Sequence, residues 1–255
     1  MKRKNMISMV TSLALVGVVA VGGTLALLSA PSNNLKNTFT VGDDYDQEEG
    51  NPDFILQEHV VKQDSNGSYV QKGDDSLTDK GQSYVDLVSN SNLAKDPYFT
   101  LRNADGDEKT PPTSWVVAKM DAQQVKALND ANITFVDAGE EWYLVTATAT
   151  GDAGEKTWTY SAKDAEGYFD VLTAADLNNL DTRTNENQKF YFIYNDKLTA
   201  GASTTALFEN LSVGEVTPST SIVLDIKGVA VQAVANSSLE SNLGQIMEAA
   251  VSELG

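Results

Sequence analysis

The chain has 255 residues, 41% of them hydrophobic, and a net charge of −18. That charge excludes a surface built for nucleic acid or anionic lipid. The absence of cysteine excludes thiol catalysis, iron–sulfur clusters and cysteine zinc sites.

In chain order, residues 1–26 read as a cleavable signal peptide. Lys2, Arg3 and Lys4 form a basic start, and an apolar run follows from Met6 to Leu28. Positive charge stays on the cytoplasmic side while the apolar helix enters the membrane. Gly22 and Gly23 loosen that helix near its end. Small side chains at the third and first positions before the cut then fit a signal peptidase. Thr24 and Ala26 supply them, with Leu27 as the first mature residue. Ser29-Ala30 is a second cut position, and an uncleaved anchor is the alternative, since a spanning helix needs about 20 apolar residues. Cleavage removes three basic residues and moves the net charge from −18 to −21. The remainder, roughly 230 residues, suits one large β domain or two small ones.

Residues 27–36 contain Pro31 and read as a flexible mature N-terminus. Asn37 to Val41 alternates as a strand, and Gly42 to Pro52 is an acidic loop. Phe54 to Gln63 is a strand, with Ser68 to Gln71 returning as a hairpin after Asp64-Ser65-Asn66-Gly67. Ser83 to Val88 adds apolar residues, and Asp96 to Arg102 is a strand entered through Pro97. Ser114 to Met120 is a strong strand, followed by a short surface helix to Asp130 capped by Asp121. Trp142 to Thr150 and Lys156 to Tyr160 form a second hairpin. Tyr168 to Leu172, Lys189 to Tyr194 and Thr220 to Val231 are further strands. Leu239, Leu243, Ile246, Met247, Ala250, Val251 and Leu254 recur at helical spacing, so the chain closes on a helix capped by Ser237 or Ser238. About ten short strands between turns predict an all-β, antiparallel sandwich or jelly roll over 37–236, with the helix at 237–255.

Motifs for catalysis are missing. No P-loop, GxSxG or HExxH occurs, and His59 is the single histidine. A triad or a multi-histidine zinc site therefore has nothing to build on. Glu58 and His59 point to opposite faces of a strand. Asn103, Asp105, Asp107 and Glu108 surround Gly106 as a calcium loop would. The downstream glutamate of such loops is replaced by Ser114, and an acidic turn is the plainer reading. No cofactor is expected beyond a calcium ion there. Trp115, Trp142 and Trp158, with Phe190, Tyr191, Phe192 and Tyr194, read as core, with a sugar-binding platform as the alternative.

The leader LALVGVVAVGGTLALLSA followed by NTFTVG resembles the SipW-dependent secreted proteins of the TasA and camelysin (CalY) family. Phe54–Val70, Leu93–Leu101 with its Lys-Asp-Pro, Ser114–Met120, Phe190–Val213 and Ser221–Val234 resemble successive segments of that family. The acidic loop 42–52 and the closing helix depart from it.

The resemblance implies a jelly roll without enzymatic activity. It implies a secreted subunit of a biofilm matrix fibre, at the matrix or cell surface of a Gram-positive bacterium. Its partners would be further copies of itself, a SipW-type signal peptidase, and a matrix or host polymer. Nucleic acid would not be one, and membrane contact would be limited to the uncleaved leader. Assembly would proceed by donor-strand exchange, with Leu27, Leu28 and Leu35 as anchors of residues 27–36 in the next subunit. Two other readings stand beside it: a camelysin-like surface metallopeptidase, against which one histidine and no cysteine argue, and a monomeric adhesin.

Overall fold

The computed structural model describes residues 29–31, 35–38, 54–73, 76–79, 81–102, 111–151, 156–216, 223–234 and 237–254. Along the chain these form β1 (Ser29–Pro31), β2 (Leu35–Thr38), β3 (Phe54–His59), β4 (Val61–Gln63), β5 (Tyr69–Gln71), β6 (Leu77–Thr78), β7 (Ser91–Ala94), β8 (Tyr98–Leu101) and β9 (Ser114–Met120). Then come α1 (Ala122–Asp130), β10 (Ile133–Phe135), β11 (Trp142–Thr150), β12 (Thr157–Ser161), α2 (Ala174–Asn178) and α3 (Leu180–Arg183). The last elements are β13 (Gln188–Tyr194), β14 (Asn210–Val213), β15 (Val223–Gln232) and α4 (Leu239–Leu254).

The fold is mostly β, as expected. A seven-stranded sheet runs in the order β1-β15-β9-β13-β11-β12, with β2 also on β15. Opposite it lie a five-stranded sheet, β10-β14-β7-β5-β4, and a three-stranded one, β6-β3-β8.

Strand alternation divides the large sheet's side chains between two cores. Val116, Ala118, Trp142, Leu144, Phe190, Phe192, Leu224 and Ile226 face the smaller sheets and the three short helices. Trp115, Val117, Val145, Tyr191, Ile193, Val229 and Val231 face outward, where Ile246, Met247 and Ala250 of α4 cover them. The closing helix is thus a third layer.

Local chemistry sets several boundaries. The Asp121 carboxylate accepts from the backbone of Gln123 and Gln124 and caps α1. That helix is not purely a surface element, because Val125 and Leu128 are fully buried. At α4, Ser238 Oγ accepts from the backbone of Ser241, which selects Ser238 over Ser237 as the cap. The expected strand over 54–63 breaks at Val60, whose N–H bonds Ser76 and whose C=O accepts from Lys72. There the chain passes from one small sheet to the other. Tyr168 to Leu172 makes only isolated bridges, Lys163 with Phe169 and Tyr143 with Val171. Ser83 to Val88 forms no strand, although Tyr84 is buried.

Candidate assembly site

Among the described residues β15 is the longest strand and the last. On one side it pairs with β9 from Ile226↔Met120 to Gln232↔Ser114. Past Met120 that strand gives way to α1, and Gln124 takes over. Its amide donates to Asp225 Oδ2 at 2.8 Å and accepts from the Asp225 N–H at 2.5 Å. On its other side β15 carries the start of the chain. Ser29, Ala30 and Pro31 lie opposite Val231, Ala230 and Val229. Leu35 to Thr38 lie opposite Ile226 to Val223. Without these two short strands β15 would be an open edge about ten residues long, carrying a row of unpaired backbone groups.

β15 also fits tightly against the layer beneath it. At Gly228 a Cβ would stand 2.1 Å from the Phe99 ring. Only glycine lets that ring pass under the strand. Phe99 in turn stacks on Phe54 at 5.4 Å and tilts against Trp142 at 5.9 Å. The strand that carries the N-terminal segment is therefore fixed from below by the main aromatic core.

A second constellation joins two segments far apart in sequence. Glu58 on β3 and Lys95, just after β7, form an ion pair of 2.7 Å with both side chains fully buried. Beside it, the His59 N–H donates to Asp96 Oδ1 at 2.9 Å and the His59 ring Nδ1 meets Asp96 Oδ2. Gln71 Nε2 also donates to Asp96 Oδ2, at 2.9 Å. Two neighbouring residues on β3 thus hold two neighbouring residues of the link between β7 and β8. Glu58 points inward and His59 stays half-exposed, as alternation requires.

Burial first, and the neighbouring carboxylates second, raise two tyrosine hydroxyls beside the pairs. Burial, then Glu58, Asp96 and Tyr69, pushes the Tyr84 hydroxyl well above its ordinary pKa. Burial and then Asp96 raise Tyr98. Glu58 Oε1 has no hydrogen-bond partner among the described residues. The cluster holds β3 to the β7–β8 link. Among the described residues no three of His, Cys, Asp and Glu stand together to share a metal ion.

Of the residues singled out from sequence, Leu35 lies in β2 with its backbone opposite Ile226. Thr24, Ala26, Leu27 and Leu28, the acidic loop 42–52 and the calcium-like Asn103, Asp105, Asp107 and Glu108 lie outside the described residues. The aromatic group does not form one platform. Trp142, Phe190, Phe192 and Tyr194 enter the inner core, while Trp115 and Tyr191 enter the outer one. Trp158 is half-buried at the sheet edge. Sequence reasoning missed the partnership of Glu58 with Lys95. The one local signal was the run Lys95-Asp96-Pro97 at the mouth of a strand. No family model, curated protein or solved structure matches the chain.

Proposed function

We propose that this chain is an exported surface or matrix subunit of the TasA/camelysin type, with a sandwich of the jelly-roll kind, and that it assembles by exchange of its N-terminal strands. One observation carries the reading: β1 and β2 close the edge of β15 and belong to the first segment of the chain. A segment that completes its own sheet by backbone hydrogen bonds can complete the same sheet of another copy with the same bonds, at high enough concentration. Head-to-tail exchange whose rotation does not close on itself yields a filament. Removal of residues 1–26 would leave the donor segment at a free end. The fully buried pairing of Glu58 with Lys95 is consistent with a scaffold.

The test is electron microscopy and sedimentation of the chain beginning at Leu27, concentrated in stages. Filaments are expected, and deletion of residues 27–38 should leave short or monomeric species. A protein that stays monomeric at every concentration, whether or not the segment is present, overturns strand exchange.

A further inference from the structure

The edge of the large sheet opposite β1 and β2 is β12. Ala149 donates its N–H to Asn187 O at 2.8 Å, so its backbone groups turn toward β13. Alternation then turns Thr148 and Thr150 toward β12, where they face Thr159 and Thr157. Those residues use their backbone groups on β11. The residues between and after them, Trp158 and Tyr160, therefore turn their N–H and C=O groups out of the sheet. Ala162, of the same parity, does so too, and its C=O accepts from the Asp170 N–H at 2.9 Å. Nothing among the described residues hydrogen-bonds the outward groups of Trp158 and Tyr160.

Soluble proteins blunt such edges with proline, bulges or charge. Thr157-Trp158-Thr159-Tyr160-Ser161 has none of these. It is an uncharged strip on a chain of net charge −18. Within the strip itself a second copy meets no charged side chain. Its aromatic side chains lie half-buried on the outer face, and Lys189 Nζ sits 5.1 Å above the Trp158 ring. Thr157, Thr159 and Ser161 are exposed on the other face.

We propose that β12 pairs antiparallel with β12 of a second copy, about a two-fold axis at Thr159. The sequence is self-complementary in this register. Trp158 faces Tyr160 of the second copy and Tyr160 faces its Trp158, each pair exchanging both backbone hydrogen bonds. Aromatic cross-strand pairs of this kind stabilise sheets. Small Thr157 faces small Ser161. Asp170 takes the edge beyond Ser161, so the contact is confined to residues 157–161. A contact this short is weak alone, and it gains strength where many copies are held in line. It does not depend on strand exchange at β15.

The absence of native cysteine makes the test clean. In the purified chain, Thr159→Cys places two thiols at a non-hydrogen-bonded antiparallel pair, with Cα atoms about 4.5 Å apart, within disulfide reach. Thr157→Cys places them four residues out of step, about 13 Å apart. Oxidation should cross-link the first variant and not the second. Thr159→Lys and Thr159→Glu should each weaken the dimer about fivefold in sedimentation, and mixing the two should restore it. Thr159 is exposed, so these variants leave the packing intact. Equal cross-linking at 157 and 159, or a mixture no more dimeric than either variant alone, overturns the proposal. Filaments with no cross-link at 159 refute this contact and leave strand exchange standing; a cross-link without filaments does the reverse.

Discussion

The two faces of the large sheet are built from the same strands and differ in what covers them. The inner face meets two other sheets, and its aromatic side chains interlock across long stretches of sequence. Trp142 alone touches Phe99 at 5.9 Å and Tyr194 at 5.4 Å, and its Nε1–H donates to Thr205 O at 3.2 Å. The outer face meets one helix and, at one side, Phe169 stacked on Tyr143 at 4.6 Å. It is sealed by aliphatic side chains, Ala249, Ala250, Ile246 and Met247, and bordered by Lys119 and Lys163. Lys163 pairs with Glu240 at the start of α4, and Lys119 Nζ reaches Leu254 O at its end. α4 carries no basic residue in its last turn, so the sheet supplies the cation that suits a helix C-terminus. Burial, then Lys189 and Lys227, lowers the pKa of that Lys119. The inner core is therefore a property of the whole chain, and the outer one a property of the sheet plus its last helix.

Truncations on the two faces should break the molecule unequally. Trp142→Ala removes the largest fully buried side chain and its hydrogen bond. It should cost about 3–5 kcal/mol in denaturant unfolding. Ile246→Ala should cost about 2 kcal/mol, the low end for such truncations, because a helix resting on one face can settle toward the gap. Equal losses would show that helix and sandwich stand or fall together.

The smallest effect is a pH dependence that samples both faces. Burial and then Tyr160 push Tyr191, on the outer face, up to about 12. Burial and then the hydrogen bond to Glu141 push Tyr194, on the inner face, up to about 12. An unfolded tyrosine ionises near 10. Between 10 and about 12 the unfolded chain holds fewer protons than the folded one, so stability falls as pH rises through that window and is unaffected below it. Tyr191→Phe and Tyr194→Phe should each flatten the alkaline fall in melting temperature. A fall that survives both substitutions assigns it to other groups.

Much of the layout was legible where one strand or helix carries its own pattern. Ser114–Met120, the Trp142–Thr150 hairpin, the Asp121 cap and the helix from Leu239 to Leu254 stand where alternation, turn and capping residues put them. β7 and β10 were not legible. They are four and three residues long, and their strand character comes from pairing with β14 more than a hundred and nearly eighty residues later. The parity of Phe190 to Tyr194 was written in the sequence, but a run of aromatic residues hides it. Both faces are covered, so no polar residue marks which is which. For the assembly site, residues 27–36 read as flexible with a strand from Asn37, whereas β2 begins at Leu35. Its acceptor, β15, was visible as a strand and not as an edge, because edge status depends on the whole sheet order. The meeting of Glu58 with Lys95 needed the fold.

The way β1 and β2 lie on β15 also sets how the molecule bears tension. Antiparallel hydrogen bonds run perpendicular to their strands. A pull along the first segment therefore loads the bonds of residues 29–31 and 35–38 in shear, all at once, instead of unzipping them one by one. Gly228, locked over Phe99, anchors β15 against sliding with the load. In a filament joined by such segments, each junction would behave as a rivet, with its strength set by how many rungs lie in parallel.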